Sequence, residues 1–237
     1  MSDKNVLVLT GYTDTIREKD STDSYMKEVF DVTLPSKMKY ATHNNYDFMA
    51  IRNFRTDPTK IFPDNKIGQL RFIRTIEMLH FYDAVMWIDA DSIITNNSYK
   101  LEDFMDSSTT FVASYDWMIT AATQSRYHSF STGNFIVQKT PELHSLIQLF
   151  YTYGPKFGSE QEVLNFMYLN SLHKGMKSLE HRFLNSAPSN QMLGNIWPKD
   201  RPPILGHWTD KSFLVHLTGL SNSDRLKVAK EHFGNFL

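Results

Sequence analysis

The chain has 237 residues, of which 41% are hydrophobic and 22% are charged. This size and composition are typical of a globular protein with one large domain or two small ones, and they exclude a disordered or fibrous chain. The 25 Lys and Arg residues nearly balance the 26 Asp and Glu residues, and the resulting net charge of -1 argues against a dedicated nucleic-acid-binding protein. Because there is no cysteine, disulfides, thiolate catalysis and zinc–thiolate centres are excluded. A metal ion would need carboxylate, imidazole, carbonyl or water ligands.

The beginning of the chain does not match a secretory signal peptide. Its apolar run, residues 6–9, is too short, and no small-residue cleavage site follows it. No stretch reaches the roughly 20 apolar residues that a membrane-spanning helix needs. We therefore expect a soluble, cytoplasmic protein without a membrane span.

Apolar runs that end in turn-forming residues predict strands in the first part of the chain, at 6–9, 46–54, 84–88, 110–114 and 135–137. The first of these runs is apolar at every position and closes on a glycine turn, which is typical of a central parallel strand. Between the first two strands the pattern predicts mixed helical material interrupted at Pro35. Apolar residues spaced by about 3.6 positions predict a helix over 66–81.

Two further helices are predicted from their N-terminal signals. Pro141 lies near the start of a helix that runs to about residue 151, with Thr140 as its N-cap. Ser159 caps a second helix that runs through Asn170.

The rest of the chain is less regular. Residues 175–206 are rich in proline, asparagine and glycine, and they predict long loops with short strands. A late strand at 213–215 precedes a final helix that begins at Ser223 and ends near Phe233. The alternation of strands and helices predicts an α/β fold, with a central, mostly parallel sheet flanked by helices in a single domain over 1–237.

The main chemical feature is a pair of carboxylates, Asp89 and Asp91, that follows a buried strand. Ligands of open α/β sheets bind at the carboxyl ends of strands. Residues i and i+2 of an extended chain face the same way, so the two carboxylates can converge on one divalent ion that also takes phosphate oxygens from a substrate. About one D-x-D is expected by chance in this composition. The position of the pair at a strand end therefore carries the prediction of a metal site.

A second feature is His216, in the run Phe213-Leu-Val-His-Leu-Thr-Gly219. A histidine in an apolar run is usually a satisfied core residue. Here a Thr-Gly turn follows it and could bring backbone N–H groups near an anion. One imidazole with two carboxylates is a suitable ligand set for manganese.

Two other segments have a structural and a functional interpretation. Ser159 and Glu162 form the pattern of a capping box, and from spacing alone capping is favoured over a carboxylate or amide near a reacting centre. Gly133 and Asn134 precede the strand at 135–137, where they either make a turn or bulge or leave room for a ligand.

Taken together and in this order, these motifs resemble a GT-A-fold glycosyltransferase, most closely the galactosyltransferase family typified by the yeast Golgi mannan and galactomannan enzymes. The segments that carry the resemblance are 39–41, 45–47, 66–70, Trp87-Ile-Asp-Ala-Asp91, Ser131-Thr-Gly-Asn-Phe135, Glu160-Gln-Glu-Val-Leu164 and Val215-His-Leu-Thr-Gly219. The same fold occurs in glycosyltransferases of large algal DNA viruses, which lack membrane anchors. Unlike the Golgi enzymes, this chain is expected to have neither a transmembrane anchor nor a stem, and a secretory-pathway role is therefore not expected.

The resemblance implies a nucleotide diphosphate sugar as donor, with a UDP-sugar expected, and a glycan or glycoprotein as acceptor. It implies Mn²⁺ or Mg²⁺ as cofactor, with Asp91 directly on the metal, Asp89 near the ribose or the metal and His216 as the third protein ligand. It places the other donor-binding residues in three groups, which are Thr10, Gly11 and Tyr12 near base and ribose, Ala90 in the D-x-D turn, and Gly219, Lys66 and Arg52 near the phosphates. The donor half is expected at about 1–115 and the acceptor half at about 116–237.

The stereochemical outcome stays open, with retention mildly favoured. An inverting enzyme needs a carboxylate base, for which the candidates are Asp116, Glu160 and Glu162. In a retaining enzyme of the resembling family, Gln161 lies near the anomeric carbon instead. Acceptor-side candidates are Gly133 and Asn134, and the aromatic Trp117 and Trp208, because aromatic faces often stack on sugars. For any one aromatic residue, core or rim packing is an equal alternative.

Two other classes of protein remain alternatives. A sugar nucleotidyltransferase can share a similar sheet and metal site, but it usually carries a glycine-rich basic loop after the first strand. Here that loop, 10–14, has one glycine and no nearby lysine. A non-catalytic sugar-binding module would not need an intact D-x-D and His216.

Overall fold

The computed structural model describes residues 5–12, 26–52, 67–116, 130–196 and 206–237. In chain order, the strands in these ranges are β1 (Val6–Tyr12), β2 (Asp47–Arg52), β3 (Ala84–Asp89), β4 (Ser92–Ile94), β5 (Phe111–Tyr115), β6 (Phe130–Gln138), β7 (Met176–Leu179) and β8 (Leu214–His216). The α-helices are α1 (Met26–His43), α2 (Ile67–Met78), α3 (Leu143–Tyr153), α4 (Glu160–Leu169), α5 (His181–Leu184), α6 (Asn190–Leu193) and α7 (Asn222–Phe233). Short 3₁₀ helices lie at Leu101–Phe104, Gly154–Lys156 and Gly234–Phe236.

Six strands form one mixed sheet in the order β2-β1-β3-β6-β5-β7. β1 pairs parallel with β2 and β3, and β5 pairs parallel with β7. β6 runs antiparallel to both of its neighbours, β3 and β5. A separate two-stranded antiparallel sheet joins β4 to β8. The predicted single-domain α/β fold with a mostly parallel sheet flanked by helices is confirmed.

The two faces of the large sheet bury two different hydrophobic clusters, because successive side chains of a strand point to opposite faces. Leu7 and Leu9 of β1 pack with residues of α2, α3 and α4. Val6 and Val8 of the same strand pack with residues of α1, α5 and the segment leading into β8. The central strands are therefore covered on both sides, as their continuous apolar sequence predicts.

A third hydrophobic cluster lies beside the sheet. Ile93 of β4 and Val215 of β8 pack against Val228 and Phe233 of α7. This cluster fixes α7 against the small sheet, and it thereby brings the first turn of α7 close to the end of β8.

Most predicted elements are confirmed, with shifts at their ends. β6 is longer than the predicted 135–137, because residues from Phe130 onward also pair with β5 on the far side of an irregularity in register. The irregular β7, α5 and α6 lie within the predicted loop region 175–206. β4 was not predicted, since three residues are too few to show a pattern.

Three details differ from prediction. Pro35 lies inside α1 and does not interrupt it. It is on the exposed side of the helix, where the carbonyl that loses its helical partner can bond to water. α3 begins only at Leu143, with Glu142 at the N-cap position, and the Thr140 hydroxyl instead bonds to that of Thr110 at 2.7 Å.

The last helix also begins earlier than predicted. Its N-cap is Ser221, whose hydroxyl accepts a hydrogen bond from the Asp224 backbone at 3.1 Å. Ser223 lies inside the first turn. In the ranges that the structure describes, no helix combines the length and the apolar character needed to cross a bilayer.

Candidate functional site

The site lies at the carboxyl ends of β1 and β3. These strands are parallel neighbours, with Gly11 opposite Asp89, so both end at the same edge of the sheet. The chain turns after Asp89 and enters β4 at Ser92, which leaves Asp91 in the connection. Ser92 is paired with His216 in the ladder between β4 and β8. The small sheet therefore brings the imidazole to the carboxylate pair.

Asp89, Asp91 and His216 converge as a possible metal-binding triad. His216 Nε2 lies 3.3 Å from Asp91 Oδ1 and 3.9 Å from Asp89 Oδ2. One ligand atom from each of the three residues lies within 4.8 Å of the others. Asp91 and His216 are buried, at 5% and 3% exposure. The predicted grouping of these three residues is therefore present in the structure.

The orientation of the His216 ring is fixed by Asn185. His216 Nδ1 lies 3.0 Å from Asn185 Oδ1. The amide nitrogen of Asn185 donates to the Tyr115 carbonyl at 3.0 Å, which defines Oδ1 as the atom that faces the ring. Because Oδ1 can only accept, Nδ1 carries a hydrogen, and Nε2 is the ring nitrogen that faces the carboxylates. Metal-binding histidines are commonly held in this way by their second nitrogen.

Gly133 of β6 provides the space for this ring. A Cβ atom at position 133 would lie 2.2 Å from His216 Cε1 and 2.9 Å from Nε2. A side chain there would displace the imidazole. The register irregularity between β5 and β6 falls at this segment, as the bulge interpretation predicts. The room that Gly133 leaves is filled by the His216 side chain and not by open space for a ligand.

Asp91 is paired with Arg225 of α7 on the side away from His216. Arg225 Nε lies 3.0 Å from Asp91 Oδ2. Burial acts to raise the pKa of Asp91, but the interactions with His216 and Arg225 outweigh it and lower the pKa below its usual value. Asp91 is therefore ionised at neutral pH and able to act as a metal ligand.

Asp89 is held by Arg71 of α2. The guanidinium bonds to both carboxylate oxygens of Asp89, and its second nitrogen bonds to Glu160. Trp87 Nε1 also donates to Asp89 Oδ1 at 2.7 Å. Burial acts to lower the pKa of Arg71, but Asp89 and Glu160 raise it above its ordinary value. Arg71 thus connects the D-x-D segment to the start of α4.

Lys37 of α1 contacts the backbone of the same turn. It is fully buried, and its ammonium donates to the Asp89 carbonyl at 2.8 Å, the Ala90 carbonyl at 3.1 Å and the Thr33 hydroxyl at 3.2 Å. Burial lowers the pKa of Lys37 to about 7, against the opposing effect of Asp91 and Asp89. The backbone of the D-x-D segment is therefore anchored by a buried lysine.

The start of α4 presents a second hydrogen-bonded group. Glu160 is fully buried, and its Oε1 also accepts from Thr132 Oγ1 at 3.0 Å. The Gln161 amide oxygen accepts from the Thr132 backbone at 3.2 Å, and its nitrogen donates to Asp116 Oδ2 at 3.2 Å. This network fixes the orientation of the Gln161 amide, with its oxygen toward Thr132 and its nitrogen toward Asp116. The structure thus brings together three of the predicted catalytic residues.

Glu162, by contrast, lies in the helix cap. Its Oε2 accepts from the backbone of Gly158 at 2.7 Å and of Ser159 at 3.1 Å. The Ser159 hydroxyl in turn accepts from the Glu162 backbone at 3.3 Å. The predicted capping box is confirmed.

The side chains at the end of β1 are buried. Thr10 Oγ1 donates to the Ile88 carbonyl at 2.7 Å and is buried. Tyr12 is 4% exposed and packs against Phe30, with the ring centroids 4.9 Å apart and the rings tilted by 44°. Of the three residues predicted to meet the donor here, Gly11 is the one whose backbone adjoins Asp89.

The other donor-side candidates are more scattered. Arg52, at the end of β2, is exposed and pairs with Asp31 at 3.4 Å. Gly219 adopts φ +80°, a left-handed conformation that favours glycine, three residues after His216. Lys66 lies outside the described residues.

The acceptor-side candidates differ in their surroundings. Asn134 is buried, its amide oxygen accepts from the Asp89 backbone at 3.2 Å, and its nitrogen donates to the Leu184 carbonyl at 3.0 Å. Trp208 donates to Thr95 Oγ1 at 2.9 Å and packs on Phe233. Trp117 lies outside the described residues.

The donor set fits a divalent ion. Two carboxylates offer hard oxygen ligands, and Nε2 of His216 faces them while Nδ1 is held by Asn185. Oxygen ligands suit magnesium and manganese, whereas imidazole nitrogen suits transition ions. The structure thus provides residues able to hold a divalent metal ion.

Four residues of this site were not predicted from the sequence, namely Lys37, Arg71, Asn185 and Arg225. A signal exists for Lys37, because it falls on the buried stripe of α1 with Phe30, Thr33 and Tyr40. A charged residue on a buried face needs a partner. Asn185 and Arg225 have no local pattern that distinguishes them.

Searches against protein-family models and against curated proteins find no match to the chain. Solved structures do match. A glycosyltransferase involved in glycosylation of the major capsid of PBCV-1 aligns with a TM-score of 0.58 at 14% identity, covering 94% of this chain and 97% of that chain. The galactosyltransferase LgtC, in complex with donor and acceptor sugar analogs, aligns with a TM-score of 0.56 at 13% identity, covering 98% and 100%.

A third structure, the bifunctional glycosyltransferase WbbM, aligns with a TM-score of 0.59 at 12% identity. The alignment covers 97% of this chain and 50% of that larger chain. At these identities the similarity shows the fold. The chain has the GT-A fold, and the resemblance to viral glycosyltransferases inferred from the motifs is confirmed at that level.

Proposed function

We propose that the protein is a metal-dependent glycosyltransferase. It transfers a sugar from a nucleotide diphosphate sugar, expected to be a UDP-sugar, to a glycan or glycoprotein acceptor. One observation carries the proposal. In a GT-A sheet, Asp89, Asp91 and His216 converge at the carboxyl ends of parallel strands, where such sheets bind their ligands.

The three residues of the triad are not equivalent. Both oxygens of Asp89 are bonded to Arg71, whereas Asp91 Oδ1 faces His216 without a guanidinium on it. We therefore assign Asp91 and His216 as the principal ligands of Mn²⁺ or Mg²⁺, and Asp89 as a weaker one. When bound, the ion supplies positive charge that neutralises the leaving diphosphate.

Gln161 and its neighbours offer polar groups that could stabilise the positive charge that develops on the sugar. Breaking the bond between the anomeric carbon and the phosphate oxygen gives the sugar oxocarbenium character. A carboxylate or amide oxygen near that face stabilises it electrostatically. The Thr132 backbone and Asp116 bond to the two ends of the Gln161 amide, and Glu160 in turn accepts from the Thr132 hydroxyl. The amide is therefore fixed before the donor binds.

The same contacts favour retention over inversion. Inversion needs a carboxylate able to take the proton of the acceptor hydroxyl. Glu160 is fully buried against Arg71, Glu162 caps α4, and Asp116 accepts from Gln161. All three carboxylates are therefore already engaged, which supports Gln161 as the group that faces the anomeric carbon.

The test is to incubate the protein with a panel of sugar nucleotides and Mn²⁺ and to measure released nucleotide diphosphate. Removal of metal by EDTA should stop release. Asp91→Asn should reduce release by at least about 100-fold, because it removes a charged ligand. Asp210→Asn makes the same charge change at an exposed residue and serves as the control.

The products separate the alternatives. Undiminished release by Asp91→Asn would refute the assignment. Release of pyrophosphate from a nucleoside triphosphate and a sugar 1-phosphate, with no nucleotide diphosphate released from the sugar nucleotides, would indicate a nucleotidyltransferase. Binding without turnover would indicate a sugar-binding module. The anomeric configuration of the product, read by NMR, distinguishes retention from inversion.

A further inference from the structure

The charges of the candidate site are already balanced by side chains of the protein. Three carboxylates, those of Asp89, Asp91 and Glu160, face the guanidiniums of Arg71 and Arg225. A further cation, Lys37, donates to the backbone carbonyls of the D-x-D turn. A divalent ion that binds here adds positive charge to a site that is close to neutral.

The two arginines are held differently. Arg71 is bonded to two carboxylates at once, and it lies between the sheet and α4. Arg225 forms an ion pair with one carboxylate, and its Nε lies 3.0 Å from Asp91 Oδ2. Its other contacts are with neutral groups of its own segment, the Leu217 carbonyl at 3.2 Å and the Asn222 amide oxygen at 2.7 Å. Among the described residues, none accepts a hydrogen bond from Nη2 of Arg225.

Arg225 is therefore the counter-ion of Asp91, and its Nη2 has no acceptor among the described residues. Its side chain is 15% exposed, so it is at the border of the site and not locked inside the core. It starts from the first turn of α7, next to the Gly219 turn that follows His216. An arginine with an unpaired nitrogen matches the oxygens of a phosphate as well as those of a carboxylate.

We propose that Arg225 is a displaceable counter-ion of Asp91, which moves to the diphosphate of the donor when a divalent ion takes Asp91. This inference rests on the proposed function. The guanidinium and the ion compete for one carboxylate, so the ion binds weakly by itself. A diphosphate removes the competition, because it offers Arg225 a new partner and adds negative charge. Metal and diphosphate consequently bind this site cooperatively.

The test measures Mn²⁺ binding by electron paramagnetic resonance, with the protein alone and with saturating pyrophosphate or UDP. Arg225→Gln removes the charge and keeps a polar side chain of similar reach. Lys227→Gln makes the same charge change at an exposed position of the same helix and serves as the control. Binding of UDP in the presence of Mn²⁺ is measured by calorimetry for each protein.

For Arg225→Gln we expect Mn²⁺ to bind the protein alone more tightly than wild type, on the order of tenfold, because a competing charge within about 4 Å is gone. UDP should bind the manganese-loaded variant on the order of tenfold more weakly. The enhancement of Mn²⁺ affinity by pyrophosphate should shrink accordingly. A general structural defect would weaken the binding of both Mn²⁺ and UDP. It cannot strengthen the binding of one and weaken the binding of the other.

Two results would overturn the inference while leaving the proposed function intact. In the first, the wild type binds Mn²⁺ and UDP, and the Arg225→Gln variant binds both with the same affinities as the wild type. In the second, the Arg225→Gln variant binds Mn²⁺ more weakly than the wild type when no pyrophosphate or UDP is present. Arg225 would then hold Asp91 in position for the metal ion and would not compete with it. If the wild type binds neither Mn²⁺ nor any nucleotide diphosphate, the proposed function itself fails.

Discussion

Replacing Gly133 by alanine should displace His216 from the candidate metal site. The added Cβ would lie 2.2 Å from His216 Cε1, whereas ordinary van der Waals contact begins at 3.4 Å. The ring must therefore shift by more than about 1 Å, while its Nδ1 is tied to Asn185 and the residue is only 3% exposed. A shift of this size breaks the convergence of Nε2 with the carboxylates.

The expected consequences follow from that displacement. Loss of a correctly placed ligand should lower Mn²⁺ affinity by about 10- to 100-fold. Crowding a closely packed site typically costs about 1–3 kcal/mol of folding free energy. Mn²⁺ binding is measured by electron paramagnetic resonance, and stability by chemical denaturation. Gly234→Ala is the control, because a Cβ at that position meets nothing within 4 Å.

A double-mutant cycle separates the local clash from a general defect. If the His216 ring is the obstacle, Gly133→Ala should cost little stability in a His216→Ala background, because the space is then empty. An equal cost in both backgrounds would refute the reasoning. So would a Gly133→Ala protein that binds Mn²⁺ like the wild type.

Three further predictions concern neighbouring residues. Asp91→Asn should weaken Mn²⁺ binding more than Asp89→Asn, because both oxygens of Asp89 are already bonded to a guanidinium. Equal losses of affinity in Mn²⁺ titrations of the two variants would contradict this. Gly68→Ala should slow sugar transfer without abolishing Mn²⁺ binding, because its Cβ would lie 1.7 Å from a carboxylate oxygen of the α4 start; unchanged kinetics would count against it. The folded-state pKa of Lys37, about 7, lies below the ordinary 10.5, so between these values only the unfolded chain binds the proton. Wild-type stability should therefore rise with pH over this window relative to Lys37→Met, by up to about 1.4 kcal/mol per pH unit. Lys39→Met, an exposed change on the same helix, should show no such slope when denaturation is followed from pH 7 to 10.

The sequence allowed the centre of the sheet to be predicted. β1 and β3 are apolar at nearly every position because both of their faces are covered, and that pattern is local. The antiparallel direction of β6 was not accessible in this way, since a strand has the same pattern in either direction. Its pairing depends on contacts between distant segments.

The ligands of the candidate site were predictable because their chemistry and their position coincide. Asp89 and Asp91 are acidic residues at the end of an apolar strand, and His216 is followed by a glycine turn. That these segments meet is decided by β4, which is too short to be recognised and which pairs with β8. The sequence therefore suggested the members of the group but not the element that assembles it.

The counter-ions of the site follow a different rule. An arginine side chain is long enough to reach a carboxylate from almost any neighbouring element, so no fixed spacing relates Arg71 or Arg225 to the D-x-D pair. These residues nevertheless affect the electrostatics of the site, because each guanidinium pairs with a carboxylate that an incoming cation would also need. Two chains with the same D-x-D and histidine can thus differ in whether a metal ion binds before, or only with, an anionic partner.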